Sequence, residues 1–256
     1  MKKLIIALAA VLALGLVVPG CSFDGTVTTK TLDFTGFNNI EVGSAFQVDV
    51  VRSSEFSVNV TARQSVLDHL DITQEGNTLK IGLQAGWWGW FPFGNSRPKA
   101  RITMPELYDM RVSGASDASA TGFQSEHDTN IFVSGASSVD VDIQANGSTV
   151  QVSGASHIDG RLNVNDADIE VDGASRAELG GSGKTLDLQA SGASRAEMEG
   201  MTVADASVKL SGASRATISP SGKISVAISG ASSLQYTGNP SLESIDVSGA
   251  STIHRK

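Results

Sequence analysis

From about residue 110 onward, apolar side chains fall at every second position, and this alternation restarts around a recurring Gly-Ala-Ser unit. The glycines of the units are at 114, 135, 154, 173, 192, 212, 230 and 249, in steps of 21, 19, 19, 19, 20, 18 and 19 residues. Two residues before each glycine the column reads Val112, Val133, Val152, Val171, Ala190, Leu210, Ile228 and Val247. Four before, it reads Met110, Ile131, Val150, Ile169, Leu188, Val208, Val226 and Ile245. Four after come Ala118, Val139, Ile158, Ala177, Ala196, Ala216, Leu234 and Ile253. The columns between are mostly polar. Side chains of a strand point alternately to its two faces, so period two predicts half-buried strands rather than helices. Each copy therefore predicts two short strands flanking a bend. A further segment turns the chain back, as at 145–147, Gly180-Gly181-Ser182-Gly183, 219–222 and 238–240. A period near 19 residues predicts one coil of a parallel β-helix. With coils stacked about 4.8 Å apart, seven steps make a rod of roughly 34 Å.

The unit at the bend has a mechanical explanation. Glycine reaches backbone conformations closed to residues with a Cβ. Alanine is expected where stacked coils crowd, and serine hydroxyls are expected to form ladders along the rod. Parity leaves open which of the two points inward. Before the repeats, Asn38 to Val51, Glu55 to Ala62, Thr78 to Leu83 and Lys99 to Thr103 alternate like strands, and Gln64 to Leu70 suits one or two helical turns. Residues 33–107 are expected to form an irregular β cap, and 108–256 the solenoid.

The first 20 residues change the picture of where the chain works. Lys2 and Lys3 precede an apolar and small-residue run, Leu4 to Val18, that is short for a bilayer span and reads as a signal peptide over residues 1–20. The run ends in Val18-Pro19-Gly20-Cys21, which resembles a bacterial lipobox with Cys21 as the lipidation site, followed by a linker over 21–32. Pro19 departs from the usual small or apolar residue, and plain secretion is the alternative. Cys21 is the one cysteine of the chain, so no intramolecular disulfide can form and packing alone must hold the fold. Removing the leader leaves 17 of the 19 basic residues against 27 acidic ones, a net charge of −10. That acidity disfavours nucleic acid as a partner.

At this point the sequence resembles a family of exported bacterial proteins, the putative auto-transporter adhesin, head GIN domain family. The resemblance rests on Phe37-Asn38-Asn39-Ile40-Glu41-Val42, Phe46-Gln47-Val48-Asp49-Val50, Asn77-Thr78-Leu79-Lys80-Ile81, Met104-Pro105-Glu106-Leu107 and the repeated Val-Ser-Gly-Ala-Ser. It implies an all-β, right-handed parallel β-helix at the cell surface or in the periplasm, and brings no catalytic residues. An autotransporter would also carry a C-terminal membrane barrel, for which no room is expected after Arg255-Lys256.

Two features could carry function. All three tryptophans lie in a short loop, Trp87, Trp88, Trp90, Phe91 and Phe93, in a chain otherwise poor in aromatics. The loop suits a contact surface for a sugar ring, an envelope protein or the membrane interface, or else an internal cap over the open end of the solenoid. The second feature is a charged face. Arg176, Arg195 and Arg215 should stack on consecutive coils beside Glu178 and Glu197, with His157 and Asp159 one coil earlier. Pectate-lyase-like β-helices use such a face on acidic sugars; the alternative is a solvated surface of weak ion pairs. The four histidines sit at unrelated repeat positions, and neither a phosphate loop nor a calcium-binding nonapeptide occurs, so no metal, cofactor or catalytic residue is expected. The expectation is a non-enzymatic envelope lipoprotein with an adhesin-like or structural role. It would be exported and anchored on the periplasmic or surface side, at the outer membrane in a Gram-negative cell. Its hydrophobic last coil (Ile245, Val247, Ile253) invites end-to-end or lateral association, so a homo-oligomer is expected. The alternatives are a carbohydrate-binding module using the Trp loop and a polysaccharide-processing β-helix enzyme using the Arg/Glu face.

Overall fold

The computed structural model of this 256-residue chain describes residues 26–86 and 97–256. Stacked parallel coils of about 19 residues form a β-solenoid of about 8 turns. The opening region holds β1 (Val27–Leu32), β2 (Asn39–Val42), β3 (Gln47–Arg52), β4 (Ser57–Arg63), one helical turn α1 (Gln64–Leu67), β5 (Leu70–Glu75), β6 (Thr78–Leu83) and β7 (Lys99–Met104). Each following coil supplies one strand before its bend and one after: β8 (Asp109–Val112) and β9 (Asp117–Gln124), β10 (Thr129–Val133) and β11 (Ser138–Gln144), β12 (Gly147–Val152) and β13 (His157–Asn163). After β14 (Asp166–Val171), the long strands β15 (Arg176–Ala190) and β16 (Arg195–Leu210) each run from one bend to the next. β17 (Arg215–Pro220), β18 (Lys223–Ile228), β19 (Ser233–Tyr236), β20 (Ser241–Val247) and β21 (Thr252–Arg255) complete the stack.

Strands before the bend make one continuous parallel ladder, β6–β2–β8–β10–β12–β14, then the second halves of β15 and β16, β18 and β20. Strands after the bend make another, β7–β3–β9–β11–β13, then the first halves of β15 and β16, β17, β19 and β21. The apolar columns read from the sequence face inward: Val150, Val152, Ile158, Ile169, Val171 and Leu188 are all buried.

In the opening region, spatial order departs from chain order. The coil of β2 and β3 lies inside, between the coil of β8 and β9 and the coil of β6 and β7. The β6–β7 coil is outermost, and antiparallel strands finish that end: β5 pairs with β6, β4 with β7, and β1 with β4.

At the first seven bends the serine turns inward and the alanine outward. Ser116, Ser137, Ser156, Ser175, Ser194, Ser214 and Ser232 are 0–2% exposed, whereas the alanine before each of them is exposed. The expectation that alanine fills the crowded position is therefore not met; the glycine does. Gly173 has φ +74°, and a Cβ there would stand 2.6 Å from the carbonyl oxygen of Gly154 in the coil below. The serine ladder exists: the backbone N–H groups of Ser116, Ser137 and Ser156 donate to the hydroxyls of Ser137, Ser156 and Ser175, at 3.3, 3.3 and 3.4 Å. The segment Gly180–Gly183 does not leave the sheet to turn. It is a corner inside β15, made by Gly181 at φ +119°, where a Cβ would lie 2.0 Å from the carbonyl oxygen of Leu162. The corner recurs in β16, where exposed Glu199 and Gly200 stand between buried Met198 and Met201 and break the alternation.

Candidate functional site

The charged face lies on the outer surface of the second ladder, along β13, β15, β16 and β17. His157, Arg176, Arg195 and Arg215 stand in register on four consecutive coils, and so do Asp159, Glu178, Glu197 and Thr217. The predicted columns thus meet. The chemistry differs from an anion-binding face, because acids pair with Arg176 and Arg195. Arg176 Nη2 donates to Glu178 at 2.9 Å and to Glu197 of the next coil at 2.7 Å. Arg195 lies 3.6 Å from Glu197, and His157 3.5 Å from Asp159. What remains is an acidic groove of about 670 Å³ lined by His157, Asp159, Glu178, Glu197, Glu199 and Thr217 over a floor of Gly160, Gly180 and Gly200. The corner explains that floor: its glycines leave no side chain to fill the space. Beyond them the groove continues past Asp140, Asp142, Arg161 and Asn163. Partial burial, then Asp159 and Asp142, raises the pKa of Asp140 above the ordinary carboxylate value. Among the described residues, no three His, Cys, Asp or Glu side chains gather as a metal site.

A second acidic face, on the first ladder, was not singled out from the sequence. A groove of about 600 Å³ runs past Asp128, Asp166, Asp168, Asp187, Asp205 and Lys223. Part of its polar lining is paired: Thr185 donates to Asp166 at 2.6 Å, Asn146 to Asp128 at 2.9 Å, and the Lys223 N–H to Asp205 at 2.9 Å, while a buried carboxylate oxygen of Asp187 has no hydrogen-bond partner among the described residues. The signal was present in the columns five and seven residues before each glycine, where Asp168 and Asp187, and Asp166 and Asp205, recur. On a neighbouring patch, Glu170 is also held above its ordinary value, first by burial and then by Asp172.

Cys21, Trp87, Trp88, Trp90, Phe91 and Phe93 lie outside the described residues. The two stems of the aromatic segment are described. It joins β6 to β7, the place in the coil where the repeats carry their short Gly-Ala-Ser bend. At one stem the Leu83 N–H donates to the buried Ser44 hydroxyl at 3.1 Å. At the other, Arg97 forms an ion pair with Asp117, the residue after the first repeat bend. Both stems therefore belong to the outermost parallel coil, beside the capped end of the rod.

The family described as putative auto-transporter adhesin, head GIN domain, matches residues 36–240. The chain belongs to this family. Crystal structures similar to it include the following. A putative adhesin from Parabacteroides distasonis superposes with a TM-score of 0.82 at 19% identity, covering 91% of this chain and 98% of its own. A putative lipid binding protein from the same species gives 0.80 at 17% identity, with 91% and 98% covered. A putative adhesin from Parabacteroides merdae gives 0.80 at 17%, with 91% and 97% covered. At these identities the likeness shows the fold. No match was found among curated proteins. Family membership makes the chain adhesin-like, and no helix of the described residues is long and apolar enough to cross a membrane.

Proposed function

We propose that this chain is a non-enzymatic protein of the cell envelope, held to a membrane through Cys21, whose rod presents the aromatic segment 87–93 to a glycan or an envelope protein. The observation that carries the non-enzymatic reading is the state of Arg176: with its guanidinium between Glu178 and Glu197, it is not free to hold an acidic sugar. The repeated unit is accounted for by stacking and needs no ligand. The aromatic segment has no such account. It replaces a bend that every repeat makes in a few residues, and the stems on either side of it are fixed by Ser44 and Arg97. Five aromatic rings in so short a stretch favour contact with a sugar face or a partner surface. The lipid-binding description of one structural neighbour makes an acyl chain a competing occupant of the same segment.

The test is capture from glycan arrays and from envelope extracts by the chain and by its Trp87→Ser, Trp88→Ser, Trp90→Ser variant, with melting curves of both. Lost capture with an unchanged melting curve supports the reading. Equal capture removes the segment from consideration, and a lowered melting temperature assigns it to the cap. Incorporation of labelled palmitate by the chain and its absence in Cys21→Ser tests the anchor.

A further inference from the structure

The two ends of the rod are built differently. Antiparallel β5, β4 and β1 cover the opening end, whereas within the described residues β20 and β21 are each paired on one side alone. The inward column is uncovered there: Leu242, Ile245 and Val247 are 50, 47 and 45% exposed, while their counterparts in the coil below, Ile224, Val226 and Ile228, are buried. The open strands also differ in charge. β20 carries Glu243 and Asp246 and no base; β21 carries His254 and Arg255, with Lys256 following, and no acid. Glu243 already meets Lys223 at 2.6 Å and Lys256 meets Glu199 at 2.8 Å, which leaves Asp246 on β20 and His254 and Arg255 on β21 to set the polarity of this end.

We propose that two copies join tail to tail about a two-fold axis through the Gly249-Ala250-Ser251 bend, each β20 adding to β21 of the other copy. Topology supplies the geometry. β20 runs toward that bend and β21 away from it, so rotation about an axis through the bend lays each strand antiparallel to its partner. Both open edges gain a ladder, which is the ordinary fate of an unprotected edge. With the axis at Ala250, Val247 lies opposite the partner's Ile253; with the axis at Gly249, Ile245 does. In both registers the acidic strand runs along the basic one. Head-to-tail stacking lacks this match. Continuing the ladders would set acidic β20 on β5, which carries Asp71 beside a Glu75 already held by Lys80, and basic β21 on β1, which carries Lys30. The charges thus select a closed dimer over an open filament.

Sedimentation equilibrium on the protein purified from expression of the full chain tests this. A reversible monomer–dimer equilibrium is expected. Asp246→Arg and His254→Glu, which face each other with the axis at Ala250, should each weaken dimerisation about tenfold, and the double variant should recover most of the loss. Ile245→Lys, at an exposed position, should give a monomer with an unchanged melting curve. A wild-type chain that stays monomeric, one that grows into open-ended polymers, or charge variants that associate like the wild type would each overturn the proposal.

Discussion

Gly173 shows how much one position of the repeat carries. It combines a left-handed backbone with a 2.6 Å approach to the carbonyl of Gly154, so alanine there meets two penalties at once. Gly173→Ala should cost about 3 kcal/mol in denaturant unfolding, whereas Ala174→Ser, on the exposed side of the same bend, should stay within about 0.5 kcal/mol. The serine column is less uniform than it looks. Ser175 accepts the N–H of Ser156, but the buried hydroxyl of Ser194 has no partner among the described residues. Ser175→Ala should therefore cost about 1 kcal/mol and Ser194→Ala nothing, a contrast that equilibrium unfolding can read. Asp140 adds a pH signature. Its folded pKa is raised above 3.8, so the folded state binds the proton more tightly than the unfolded chain does. The stability this proton linkage supplies is present in full below 3.8 and lost as pH rises through the folded value. Glu170, raised above 4.5, has the same sign. Asp140→Asn should melt higher than the wild type at neutral pH, with the gap closing on acidification.

At the scale of the strand, burial outweighs charge. The ion pairs of β13, β15 and β16 join side chains 34–56% exposed, where pairing is screened by solvent. Arg176→Ala is expected to change stability by less than about 1 kcal/mol. Ile169, fully buried in β14, should cost about 3 kcal/mol when cut to alanine. Chemical denaturation of the two variants side by side checks the order. The corner inside β15 follows the same logic. Pairing with the preceding coil runs through Gly181 unbroken, and pairing with the next coil resumes there after a one-residue shift of register, so the strand continues even though Gly181 redirects it.

For the whole molecule, stability depends on neighbouring coils, since each coil touches the next and little else. A solenoid then fails first at an uncovered end. Val60, fully buried in the antiparallel strand β4, closes the opening end. Val60→Asp should uncover the β6–β7 coil and produce aggregation, visible by light scattering, before the middle coils lose their circular dichroism signal. The opposite end has no comparable strand among the described residues, and a second copy is the cover that its charges fit.

The sequence by itself determined the coil, its period and its inward columns, because parallel stacking in register makes like positions neighbours: Arg176 stands on Arg195 as the spacing requires. It also placed the arginine and glutamate columns side by side. It could not say that Arg176 would reach Glu197 rather than solvent, since a long side chain chooses among partners on its own coil and the next. Parity is lost at a left-handed glycine, so only the tertiary structure decided that serine faces in and alanine out. Chain order also says nothing of which strand an edge recruits. That β2 and β3 sit inside β6 and β7, with antiparallel strands beyond, followed from closing the end of the core, a requirement of the whole stack that no local pattern records.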